Sequence, residues 1–246
     1  MKNKNFVFIT PVFNCEREIS QTLYSMMAQS YEDWRAIIIN DMSTDNSLQA
    51  IQNIVQNTQF HKNFIIVDNT EKMGEVRNTL NAIREIDDDE IVCRVDGGDW
   101  ITENDTLHFL NTVYQYDDVD VAWTSHRWAY TGSNISGPLE LNHGQTVYQH
   151  PWVSSHMKTF RTSRLRKVPD SNFRDQDGKY ITIACDQALF LPMLHTAIRD
   201  GKSVGHIPHV CYHYSIDLQN KNLFHTERSY KQRDTALWLR ARGFVD

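Results

Sequence analysis

Ile91-Val-Cys-Arg-Val-Asp-Gly-Gly-Asp-Trp100 is an apolar run that stops abruptly at two acids around a Gly-Gly pair. A short apolar run closed by turn-forming residues reads as a buried strand, here Ile91–Val95, with its polar turn at one end. The same pattern occurs twice upstream. Phe6-Val-Phe-Ile9 ends in Thr10-Pro-Val-Phe-Asn14, and Ala36-Ile-Ile-Ile39 ends in Asn40-Asp-Met-Ser-Thr-Asp-Asn-Ser47. Two further runs, Phe64–Val67 and Val119–Trp123, complete five expected strands. Between them the apolar period changes from continuous to helical. Ile19, Leu23, Met26 and Met27 mark a helix within Glu16–Gln29, and Leu48, Ile51 and Ile54 mark a second after the cap candidates Ser43–Ser47. Gly74–Ile86 and Asn104–Tyr116 predict two more. Alternating units with continuous apolar strands predict an α/β fold, a mostly parallel central sheet with helices on both faces. Ligands of such sheets bind beyond the carboxyl ends of the strands, where Thr10, Asn14, Asp41, Asp96 and Asp99 fall.

Composition narrows the remaining classes. With 246 residues, 40% of them hydrophobic, and only 10 Gly and 6 Pro, the chain is neither disordered nor low in complexity. Its 25 basic and 31 acidic residues leave a formal charge of −6, which argues against a broad nucleic-acid-binding surface. No apolar stretch approaches the ~20 residues of a membrane span, so no integral membrane segment is expected. Scattered cysteines (Cys15, Cys93, Cys185, Cys211) argue against a disulfide framework and for a reducing, cytoplasmic setting. The second half is less regular. Arg127–Gln149 reads as hairpins or long loops, Ile181–Leu194 and Thr226–Arg242 as helices, and Gly205–Tyr214 as a strand. With neither repeat nor linker, residues 1–246 read as one domain with an elaborated C-terminal half.

Four segments stand in a telling order: Phe8-Ile-Thr-Pro-Val-Phe-Asn14, Ile39–Ser47, Gly74-Glu-Val-Arg-Asn78 and Val95-Asp-Gly-Gly-Asp-Trp100. This series resembles the family 2 glycosyltransferases of the GT-A fold, closely over about the first 105 residues and loosely beyond. The resemblance implies a GT-A-type sheet, a nucleotide-sugar-binding half at 1–125 and an acceptor-binding half at 126–246. It implies transfer from a nucleotide-sugar, most plausibly a UDP-sugar, to a hydroxyl of a glycan, lipid-linked sugar or protein acceptor, with inversion. Thr10, Val12 and Phe13 correspond to the base pocket, Asp41 to a nucleotide contact, and Arg77 to an anion-facing position at a helix start. Asp96 and Asp99 correspond to the diphosphate and metal site, Mn²⁺ or Mg²⁺, with His213 of Tyr212-His-Tyr214 as a further metal candidate. Asp186 in Ala184-Cys-Asp-Gln-Ala188 corresponds to the catalytic base.

The residues also admit plainer roles. Asp-Gly pairs are common turn formers, Asp41 suits an Asx turn, and Arg77 suits a surface ion pair. Asp186 suits the first turn of a helix, and Asp175 and Asp177 are fallback bases in the preceding loop. His209, Cys211 and His213 alternate along one strand and share a face, a pattern open to zinc. Trp123, Trp128, Tyr130, Trp152 and Phe160 suit either core or a sugar-stacking cleft, which His126, His156 and Arg161 could line. The family pattern carries acids where this chain has Asn40, Gly98 and Cys185, so a non-catalytic nucleotide-sugar-binding protein is the main rival. A nucleotidyltransferase is disfavoured because the turn after the first strand has neither Gly nor Lys.

Overall fold

Strand and helix follow each other as the hydrophobic periods dictate: β1 (Phe6–Val12), α1 (Ile19–Met27), β2 (Trp34–Asn40), α2 (Ser47–Gln56), β3 (Phe64–Asp68), α3 (Gly74–Ala82) and β4 (Ile91–Arg94). After these come β5 (Trp100–Ile101), α4 (Thr106–Tyr114), β6 (Val119–Trp128), β7 (Lys158–Arg161), α5 (Thr162–Arg166), α6 (Cys185–Arg199), β8 (Ser203–Tyr214) and α7 (Glu227–Arg242). The computed structural model describes residues 3–116, 118–129, 131–215 and 226–246. The strands form an eight-stranded sheet in the order β3-β2-β1-β4-β7-β6-β8-β5. Pairing is parallel except where β7 lies between β4 and β6 and where β5 pairs β8.

Apolar continuity in the strands has a direct cause, since both faces are covered. Phe6, Phe8, Ala36, Ile38 and Cys93 pack against Ile19 and Leu23 of α1, Ile51 of α2 and Leu107 of α4. Their neighbours Val7, Ile9, Ile37, Ile39 and Val92 point the other way, onto Val76 of α3 and Leu189 and Met193 of α6. β5 and β7 are additional to the strands that the apolar runs predict. β5 has two residues, too few to show a period, and β7 begins and ends on a charge. The helix expected from Ile181 starts at Cys185, because Ala184 turns left-handed at φ 56°. All four thiols are free and buried, and among the described residues no helix is long and apolar enough to cross a membrane.

Candidate active site

The loops leaving β1 and β2 are stitched together. Asn14 donates to Thr44 Oγ1 at 3.1 Å and accepts the Thr44 N–H at 2.7 Å, while Glu16 Oε2 accepts the Asn46 N–H. Asn14 and Met42 both sit at positive φ, so these two turns are bent sharply at the strand ends. The Asn40 side chain braces this turn by accepting the Ser43 N–H, three residues on. Asp41 is buried and spans instead to the entry of α3, accepting the N–H groups of Met73 (2.8 Å) and Gly74 (2.9 Å) and the Asn69 amide. Burial would raise its pKa, but these donors together hold it below the ordinary carboxylate value. Thr10 and Val12 are buried in β1, the Thr10 hydroxyl without a hydrogen-bond partner among the described residues. Phe13 is exposed, with the Lys72 ammonium over its ring. Arg77 is half-exposed and pairs with Glu71 at 2.9 Å.

Beyond β4 the acidic turn closes through a hydrogen bond from the Asp99 N–H to the Asp96 carbonyl. Gly97 fits tightly under β1, where a Cβ would lie 3.1 Å from the Pro11 carbonyl, and Gly98 holds φ +101°, a conformation that L side chains adopt only under strain. Tyr212 binds both ends of the turn: its hydroxyl accepts the Asp96 N–H and donates to Asp99 Oδ2 at 2.7 Å. The Ser215 N–H takes the other Asp99 oxygen. Burial, then the charge of Asp96, pushes Asp99 well above the ordinary carboxylate value. A nearby cation would relieve that strain. The third member of the cluster is His156, whose Nδ1 lies 3.9 Å from Asp96 Oδ2 and whose ring stacks against Tyr212 and Tyr214. Burial and the Lys158 charge push its pKa well down, so it is a neutral imidazole with a lone pair to give.

Ligand atoms of Asp96, Asp99 and His156 all lie within 4.8 Å of one another, the only such group of three among the described residues. Two carboxylates and a neutral imidazole fit a divalent cation. His213 does not stand with them. β8 alternates, so Tyr212 and Tyr214 face the cluster while His213 stacks on Trp100 at 4.0 Å. His209 and Cys211 form no metal-ligating group with it, and His209 stacks on Phe109.

Asp186 lies in the first turn of α6, and its Oδ1 receives the buried Lys158 ammonium at 2.6 Å. Burial opposes ionisation, but the charge and hydrogen bond of the Lys158 ammonium outweigh it and bring Asp186 down to about 2. Lys158 Nζ also reaches His156 Nδ1 at 3.3 Å, linking Asp186 to the acidic turn. On the opposite side, buried Arg94 of β4 holds Glu75 (2.6 Å), Asp96 (3.0 Å) and the Thr79 hydroxyl. Burial raises Glu75 against the pull of Arg94, and with Asp96 and Asp186 nearby it is pushed up to about 7. Glu75, Asp96, His156 and Asp186 floor a cavity of ≈ 710 Å³ that also meets Trp128, Trp152 and Tyr214. One face of α7 walls it with Arg228, Gln232, Ala236 and Arg240, four residues apart and therefore one above another. Arg240 anchors that wall to the Gln187 amide and the carbonyls of Tyr148 and His150.

Of the aromatics singled out from sequence, Trp123 and Phe160 are core, Trp128 and Trp152 line the cavity, and Tyr130 lies outside the described residues. Asp177 and Asp175 line a separate cavity of ≈ 400 Å³ beside Trp238. His126 is buried beside the site, accepting the Trp128 indole N–H, whereas Arg161 is spent on the carbonyls of Tyr114, Tyr116 and Val119. Lys158, Arg94 and Glu75 were not anticipated as site residues. Arg94 was findable, as a lone charge inside an otherwise apolar strand.

Among solved structures, Staphylococcus aureus TarS 1-349 in complex with UDP-GlcNAc superposes with a TM-score of 0.66 at 14% identity, covering 98% of this chain and 68% of that one. The mannosyltransferase PcManGT from Pyrobaculum calidifontis, in complex with GDP-Man and Mn²⁺, gives 0.67 at 17% identity, covering 98% and 64%. These likenesses carry the fold, which is that of the GT-A glycosyltransferases. By sequence, the poly-beta-1,6-N-acetyl-D-glucosamine synthase of Staphylococcus aureus (strain COL) is 27% identical over 137 residues, 56% of this chain and 32% of that protein. The chain thus spans about a third of the length of that curated relative. A model of Glycosyl transferase family 2 matches residues 7–187, most of the chain, and the chain belongs to that family.

Proposed function

We propose that this protein transfers a sugar from a nucleotide-sugar, a UDP-sugar in the first instance, to a hydroxyl of a glycan, lipid-linked or protein acceptor. The observation that carries this reading is the Asp96–Asp99–His156 cluster linked through Lys158 to Asp186, with Asp96, His156 and Asp186 on the floor of one cavity. Asp96, Asp99 and His156 would hold a divalent cation, and the imidazole in that set favours Mn²⁺ over Mg²⁺. When bound, the ion would offset the charge of the donor diphosphate. The base would occupy the β1–β2 side, near Thr10, Val12, Phe13 and Asp41, with Arg77 at its solvent edge. The acceptor would enter between Trp152 and α7. Asp186, ionised by its pairing with Lys158, would receive the hydroxyl proton as the acceptor oxygen bonds to the anomeric carbon. The bond from that carbon to the diphosphate oxygen breaks in the same step, its electron pair leaving with the phosphate, so the anomeric centre inverts. Four free, buried thiols support a reducing, cytoplasmic setting.

Asp186→Asn separates this reading from its rivals. Transfer from UDP-GlcNAc with Mn²⁺, followed by UDP release, should fall by a factor on the order of 10²–10⁴ while donor binding changes little. Turnover retained by the variant would remove Asp186 from the chemistry. The tight Asp186–Lys158 pair favours one alternative, a non-catalytic nucleotide-sugar binder, and binding without turnover by the unaltered protein, across donors and acceptors, would establish it.

A further inference from the structure

Lys158 is the unusual group of this site. It is almost fully buried on β7, it does not line the cavity, and its ammonium stands between two groups that do. Nζ donates to Asp186 Oδ1 at 2.6 Å and to His156 Nδ1 at 3.3 Å. An ammonium only donates, so Nδ1 of His156 must present its lone pair to Lys158. That same nitrogen is the one 3.9 Å from Asp96 Oδ2, facing the acidic turn. One lone pair cannot serve both a cation in the cluster and the ammonium behind it.

We propose that Lys158 is a positioning residue that competes with the divalent cation for His156 Nδ1 and fixes the orientation of Asp186. This rests on the metal-assisted transfer proposed above. With the cluster filled through Nδ1, the ammonium is left to Asp186 alone and holds that carboxylate in one place. Lys158 therefore weakens cation binding, by like charge and by occupying a ligand, while it supports turnover. A salt bridge that served only packing would have the opposite signature, because its loss would loosen the cation site and the base together.

The test is Mn²⁺ binding, read by the electron paramagnetic resonance signal of free Mn²⁺ without substrate, on the wild type, K158M, K158Q and K158R. K158M should bind Mn²⁺ about tenfold more tightly than the wild type. K158R, which keeps the charge, should stay near the wild type. In parallel, UDP release from UDP-GlcNAc by K158M should fall about 100-fold in kcat with little change in the donor KM. If K158M does not fold, judged by its thermal transition, K158Q decides the matter, since it keeps a donor for Asp186 without the charge. Unchanged or weaker Mn²⁺ binding by the folded neutral variant overturns the proposal, as does absence of Mn²⁺ binding by every variant and the wild type. The binding measurement needs no turnover, so an inactive wild type that binds Mn²⁺ would count against the proposed transfer and leave the Lys158 competition to be decided by affinity.

Discussion

Glu75 shows how a single side chain ties stability to the site. Burial pushes its carboxyl up to about 7, above the ordinary 4.5, so between those limits the folded state holds a proton that the unfolded state has lost. Stability then falls as pH rises across this window. In metal-free buffer, urea unfolding of the wild type should weaken from pH 4.5 to 7 relative to Glu75→Gln, and parallel curves would refute the assignment. Glu75 lies within the Gly74–Asn78 segment but at a position with no expected role, and its partner Arg94 stands just outside the acidic segment, although both flank Asp96 through one network. The motif residues after β1, β2 and β4 were legible because each set ends an apolar run. The histidine was harder. Sequence offered His213 as a ligand and His156 only as a cleft residue, because which side chains of β8 face the cluster depends on strand parity, and one residue reverses it.

At the level of elements, the turn from β4 to β5 is set by its backbone more than by its acids. Gly98 holds φ +101° and donates its N–H to Thr22 of α1, where the family pattern would carry a carboxylate. Gly98→Asp should therefore cost about 1–3 kcal/mol of unfolding free energy without tightening Mn²⁺ binding. A variant as stable as the wild type, or one with stronger Mn²⁺ binding, would contradict this. β1, β2 and β4 were readable because both faces of each strand are dry, and β3 because its run Phe64–Val67 stays apolar although Ile65 and Val67 are exposed. β7 was not, because a charge at each end of Lys158–Arg161 leaves no apolar run; the fold buries both, giving Lys158 the Asp186 carboxylate and Arg161 the carbonyls at the end of α4. The long irregular stretch between β6 and β7 carries His156 into place with no period to announce it.

For the molecule as a whole, the −6 charge bears on which ligands it will bind. Part of that charge is gathered at the sheet edge, so a diphosphate donor should need a cation to bind well. A donor at 100 times its Kd contributes about 2.7 kcal/mol. For a chain of this size that corresponds to a rise in Tm of about 5–10 °C. UDP-GlcNAc with Mn²⁺ should give such a rise, and UDP-GlcNAc with a chelator much less; equal shifts would show that the cation has no part in binding. The cavity itself has a divided origin. Its floor comes from residues 75–96 and 156–186, whereas the opposite wall is one face of α7, fastened chiefly through Arg240 and Arg242 to distant carbonyls. Such a wall can be rewritten without disturbing the floor. On the proposed acceptor path, exchanging Arg228, Gln232 and Ala236 for other side chains would redirect which acceptors enter, which makes this helix the natural place to begin remodelling the protein toward a new product.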